Sequence, residues 1–126
     1  MLKRSQRITD NKDFQRIYRR GRYFTSAFFN LNYAPSLFDQ TRIGLVVSKK
    51  VTKKATERNL LKRRLREICR GFYPELRTGL DIIVSVKPQT AKLDFDRLKE
   101  ELHNNFLSAS LFKRDYDAKK TSPKTN

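Results

Sequence analysis

The chain has 126 residues, a net charge of +16 and a pI near 10.4. That length supports one domain with a modest core, and nine Phe and five Tyr exclude a disordered polycation. A one-signed charge of this size repels itself and calls for a polyanionic partner. No apolar run approaches the roughly 18 residues of a helical membrane span, which leaves nucleic acid ahead of a membrane surface and no small-molecule substrate in view. No signal-peptide pattern follows MLKRSQR, so a cytoplasmic location is expected. The lone Cys69 excludes internal disulfides, argues against a zinc site and reads as a small core residue.

Residues 1 to 8 are basic and aperiodic, an extended arm closing with Ile8. Thr9, Asp10 or Asn11 can cap a short helix that carries Phe14, Ile17 and Tyr18 on one side and stops at Gly21. That aromatic side supports two readings, core packing or partial exposure for stacking on bases. Residues 22 to 33 (RYFTSAFFNLNY) alternate Phe29, Leu31 and Tyr33 against Phe28, Asn30 and Asn32, a strand pattern with a break near Thr25 to Ala27. Residues 34 to 40 read as a loop, and 42 to 48 (RIGLVVS) as a strand apolar enough to be central.

A basic connection then leads to a helix from Glu57 that Gly71 and Pro74 end. Residues 80 to 86 (LDIIVSV) form a further strand, and Asp94 caps a last helix with Phe95, Leu98, Leu102 and Phe106 at core spacing. The order αβββαβα predicts an α+β two-layer sandwich of about four strands over residues 1 to 112. The remaining residues, 113 to 126, form a basic stretch without periodicity and are expected to be a disordered tail.

Residues 49 to 70 hold ten Lys or Arg against Glu57 and Glu67, which is half of the net charge. At 100° per residue, Leu61, Leu65, Ile68, Cys69 and Phe72 share an arc of about 100° that can be buried. Arg58, Asn59, Lys62, Arg63, Arg66 and Arg70 fill the next arc, about 140° wide, without a carboxylate. Guanidinium forks and ammonium groups suit phosphate oxygens, and the Asn59 amide can hydrogen-bond a base edge or a 2′-OH. A solvated face is the bland alternative. The run is one-signed, one-sided and continued by Lys49, Lys50 and Lys54, which favours an anion-binding surface. Strands flank this helix, so a DNA-reading helix-turn-helix is disfavoured and single-stranded RNA fits better.

Hydrolysis of a phosphodiester by protein groups alone needs a carboxylate cluster for metal ions or a placed histidine. Asp94 and Asp96 open a helix, where capping explains them, and Glu67 is expected to pair with a nearby Arg. His103 is assigned to the outer, solvent side of the last helix. The sequence therefore offers no catalytic residue and no metal ligand set of its own. Two rivals remain open on the residues: a ribosomal-type or chaperone-like RNA-binding protein without catalytic assembly, and a protein-only nuclease.

The string RNLLKRRLRE, approached through VSKKVTKKATE, resembles the RNR signature of the bacterial ribonuclease P protein subunit. DFQRIYRRG, RIGLVVSKK and DIIVSVKP extend the likeness in the same order, over roughly residues 4 to 112. The resemblance implies an α+β fold with a left-handed βαβ crossover around the basic helix. It also implies that a partner RNA with bound Mg2+, held mainly by that RNA subunit, cleaves precursor tRNA to give the mature 5′ end. The protein would bind the ribonuclease P RNA subunit and the single-stranded 5′ leader. Carried over by position, the RNA-facing residues are Lys49, Lys50, Lys54, Arg58, Asn59, Lys62, Arg63 and Arg66, with Arg70 continuing the stripe. Phe14 and Tyr18 match the aromatics that line the leader cleft, and Tyr33 stands one place from the strand position that supplies another. Arg64 departs from the apolar residue common there.

Overall fold

The computed structural model describes residues 2 to 114, and seven elements carry the fold. They are α1 (Asn11–Arg20), β1 (Arg22–Thr25), β2 (Phe29–Pro35), β3 (Arg42–Val46), α2 (Ala55–Phe72), β4 (Leu80–Val86) and α3 (Phe95–Ser108), in the order αβββαβα. The four strands form one mixed sheet, ordered β1-β2-β4-β3. β1 and β2 pair antiparallel across the short break at residues 26 to 28, and β2 pairs antiparallel with β4. β3 runs parallel to β4, the two being joined through α2, and it lies at the sheet edge instead of the central place expected for it.

Side-chain alternation divides the core between the two sheet faces. Phe29 and Leu31 of β2, Ile43 of β3 and Leu80, Ile82, Val84 and Val86 of β4 pack with Leu65, Ile68, Cys69 and Phe72 of α2 and Leu98, Leu102 and Phe106 of α3. The apolar arc expected for α2 is thus the one it buries. Ala34 and Ile83 point the other way and meet Ile8 and Ile17, with Phe14 and Val46 packed alongside. Helices therefore cover both faces, and the two-layer expectation gains a partial third layer in α1. Central β4 makes this possible, since Ile83 is as fully buried as Ile82 and Val84.

Asp10 caps α1 by accepting the N–H of Lys12, and Asp94 caps α3 by accepting that of Arg97. Gly21 ends α1 where nothing larger fits: an added Cβ would lie 2.5 Å from the Ile17 carbonyl oxygen and 2.6 Å from that of Tyr33. The expected extended arm contains a short 3-10 turn, Arg4–Gln6, and Arg7 then bridges to Ile43 beside β3. α2 starts at Ala55, two residues before the expected Glu57, and Gly71 lies within its last turn.

His103 corrects an expectation. It is buried, 3% exposed, with its ring 5.3 Å from that of Phe112 and 6.2 Å from that of Phe72. Helical phasing alone assigns it to the outer side of α3. The segment after α3 then turns back, bonds Arg77 N–H to the Leu111 carbonyl and pairs Leu76 with Phe112, so His103 is covered by chain that follows the helix. Phe95, expected in the core, is instead exposed at the start of α3. The expected disordered tail falls outside the described residues from residue 115 onward. Lys113 belongs to the fold, its N–H bonded to the Glu75 carbonyl at 2.8 Å.

Candidate nucleic-acid interface

The connection from β3 to α2 is shaped by its apolar residues. Val47 and Val51 are buried, and between them the N–H of Val51 bonds the Ser48 carbonyl while the N–H of Lys50 bonds the Ser48 hydroxyl. This turn leaves Lys49 and Lys50 exposed. Lys54 stands at the N-cap of α2 without a side-chain capping bond. The approach is stapled instead by Thr52, whose hydroxyl donates to Glu57, and by Arg58, whose Nη1 donates to the carbonyls of Thr52 at 3.0 Å and Lys53 at 2.9 Å. Lys49, Lys50 and Lys54 therefore lie in the segment that leads to the positive end of the α2 dipole, where an anion is favoured.

Along α2, the turn-by-turn spacing brings Asn59, Arg63 and Arg66 onto one side, where with Thr56 and Leu60 they line a shallow depression of about 390 Å³. Asn59 and Arg63 are exposed, and Lys62 and Arg66 are half-buried. Asn59 makes no hydrogen bond to the described residues, so its amide is free to bond a ligand. Arg70 is less available because Nε and Nη2 both donate to Glu67 Oε2. That pair is the one expected, and the Arg70 hydrogen bond holds the Glu67 carboxyl below its usual range. Cys69 lies on the buried side, where burial pushes its thiol up to about 12 and keeps it unreactive.

The opposite sheet face offers a second surface. Phe14 lies over Gly44, so close that an added Cβ there would come within 2.9 Å of the ring. Tyr18, one helical turn further, is 48% exposed. Strand alternation puts Asn30 and Asn32 of β2 on this face, with Thr25 and Tyr23 of β1 opposite them and Ser85 of β4 beyond. Amides and hydroxyls thus form a polar floor beside α1, edged by the exposed rings of Tyr18 and Tyr23. Such a floor can bond bases while the rings stack on them.

The family described as Ribonuclease P matches residues 2–110. The chain belongs to the ribonuclease P protein family. It is 36% identical to a ribonuclease P protein component of Pseudanabaena sp., over 88% of this chain and 97% of that protein. It is 32% identical to one of Picosynechococcus sp., over 88% and 96%. Among solved structures, it is similar to the RNase P protein of Staphylococcus aureus, with a TM-score of 0.80, 29% identity, and 86% and 98% of the two chains covered. The Thermotoga maritima RNase P protein gives a TM-score of 0.71 at 32% identity, covering 78% and 92%.

Within this ribonuclease P fold, the residues expected from the sequence do not all converge. Lys49, Lys50, Lys54, Asn59, Lys62, Arg63 and Arg66 belong to α2 and its approach, and Phe14 and Tyr18 to the face under α1. Tyr33 joins neither group. It alternates with Phe29 and Leu31 and packs against the core beneath α2 and α3, on the opposite side of the sheet from Phe14 and Tyr18. Its expected place beside them is corrected, for a one-residue offset in a strand reverses the face. Asn30, Asn32 and Tyr23 hold the positions on the Phe14 side, and sequence reasoning missed them. The alternation of 29 to 33 carried the signal, since it grouped Tyr33 with two core residues. Arg58 also has a part that charge counting did not reveal, shaping the loop before α2.

Proposed function

We propose that this chain is the protein subunit of a ribonuclease P ribonucleoprotein, binding the catalytic RNA subunit through α2 and its lysine approach. The single-stranded 5′ leader of precursor tRNA lies across the face formed by Phe14, Tyr18, Asn30, Asn32 and Tyr23. The observation that carries this reading is the division of labour between two faces of one sheet, cationic on one side and aromatic with amides on the other. Two RNA segments can be held at once because neither surface blocks the other.

In this reading the chemistry belongs to the RNA, whose bound Mg2+ supports cleavage of the leader. Among the described residues, no three His, Cys, Asp or Glu side chains are grouped so as to hold a metal ion. Asp13 and Asp81 are held by arginines, Asp10 and Asp94 cap helices, Glu67 faces Arg70 and Glu57 faces Thr52. The protein's part is to position RNA and screen phosphate repulsion, with Lys62, Arg63 and Arg66 as the field groups and Asn59 as the bonding amide.

Reconstitution tests this. Purified protein alone is expected to leave precursor tRNA intact, and its addition to a cognate ribonuclease P RNA to restore 5′ processing at low Mg2+. Processing that is the same with and without the protein overturns the proposal. Cleavage by RNA-free protein would establish a protein-only nuclease instead.

A further inference from the structure

We infer that the outward side of α1 is a further phosphate-binding ridge for single-stranded RNA, distinct from the α2 surface. The inference rests on RNA being the partner, as proposed above.

At 100° per residue, Gln15, Arg19, Lys12 and Arg16 fall within an arc of about 100°, opposite Phe14 and Ile17. Lys12, Gln15, Arg19 and Arg20 are exposed and, with Arg16, line a depression of about 310 Å³. What separates this ridge from an ordinary solvated face is the fate of its acids. The Asp10 carboxylate is turned to the N–H of Lys12 as a cap. Asp13 lies 3.5 Å from Arg16 and 3.4 Å from Arg42, and buried Asp81 takes both of those arginines. The nearby carboxylates are thus spent inward, and Lys12, Arg19 and Arg20 form no salt bridge with the described residues. Their charge is left for an external anion.

The kind of anion follows from the neighbours. α1 cannot lie on a membrane by its apolar side, because Ile17 is fully buried and Phe14 is packed over Gly44. Tyr18 stands on the helix flank about 60° from Gln15, so a strand stacked on that ring is carried next to the Gln15 amide and the Arg19 guanidinium. Ring, amide and cations in succession suit a ribonucleotide backbone rather than an acidic peptide. The ridge lies on the other sheet face from α2, so its phosphates are not those that α2 holds. They belong either to the leader beyond the stacked bases or to the RNA subunit.

The experiment compares the double variant Lys12→Ala/Arg19→Ala with a control that removes equal charge elsewhere, Lys92→Ala/Lys99→Ala. Salt dependence of affinity is measured for the reconstituted holoenzyme with precursor tRNAs of short and long leader, and for the protein with the RNA subunit alone. The ridge variant is expected to lower the slope of log K against log salt by about 0.7 per lost single-strand phosphate contact, while the control leaves it unchanged. A fall confined to long leaders assigns the ridge to the leader, and a fall with the RNA subunit alone assigns it there. Slopes equal to wild type in both arms, or an equal fall for ridge and control, overturn the inference. Wild-type protein that fails to stimulate processing would instead overturn the functional reading on which the ridge rests.

Discussion

The guanidinium of Arg42 closes on the carboxylate of Asp81 as a two-bond fork, Nε to Oδ1 at 2.9 Å and Nη2 to Oδ2 at 2.8 Å. Asp81 is fully buried on central β4, while Arg42 opens β3. Arg16 of α1 donates to the same carboxylate and also to the Pro35 carbonyl at the end of β2. One acid therefore ties α1 to β3 and β4, and Arg16 extends the tie to β2. Removing it strands two guanidinium groups in partly buried positions, so Asp81→Ala is expected to cost about 3–5 kcal/mol in urea denaturation. A cost below about 1 kcal/mol would show that the clasp contributes nothing beyond packing.

Phe14 and Tyr18 should separate folding from binding. Phe14 is packed over Gly44 beside Ile8 and Ile17, so Phe14→Ala is expected to lose stability on the order of 1–3 kcal/mol as well as leader affinity. Tyr18 is half exposed, and Tyr18→Ala is expected to leave stability within about 0.5 kcal/mol while costing about 1–3 kcal/mol in leader affinity. Comparing leadered and leaderless precursor tRNA gives the affinity term. If Tyr18→Ala binds both as wild type does, the ring does not stack on the leader.

Arg63 and Arg58 lie on the same helix but are expected to fail differently. Arg63 is exposed in the α2 depression, and Arg63→Ala should lower the salt slope of RNA binding by about one with little change in stability. Arg58 braces the carbonyls of Thr52 and Lys53, so Arg58→Ala should also loosen the approach to α2. Arg58→Lys keeps the charge and loses the fork. Amide exchange over residues 51 to 56 is expected to rise in both Arg58 variants and to stay unchanged in Arg63→Ala. Equal protection in all three would remove the bracing role.

Burial lowers the pKa of His103 from its ordinary value of 6.5, the Asn104 hydrogen bond opposing the shift. The folded state disfavours the imidazolium, so the stabilisation is complete above pH 6.5 and is lost as pH falls through that value toward the folded pKa. Stability measured from neutral pH downward should therefore decline more steeply in wild type than in His103→Phe, which keeps a ring against Phe72 and Phe112 and cannot titrate. Parallel curves would remove His103 from the acid dependence.

Much of this protein was legible in its sequence because local periodicity and capping chemistry survive folding unchanged. The apolar arc of Leu65, Ile68, Cys69 and Phe72, the cap at Asp94 and the strand at 80 to 86 are short-range patterns that appear where they were expected, and Asp10 is the one of three candidate residues that caps α1. The cationic arc of α2 was equally legible, since a helix that buries one side must present the other. The tertiary structure decided what depends on residues far apart in the chain. It put Tyr33 under α2 and α3 and left Asn30 and Asn32 beside α1, because which face of a strand meets which helix is set by the whole sheet. His103 became a core residue only when Phe112 folded back over α3. The acids near α1 were turned inward by Arg16 and Arg42, converging on Asp81 from elements 39 and 65 residues away in sequence, and no local pattern encodes that meeting.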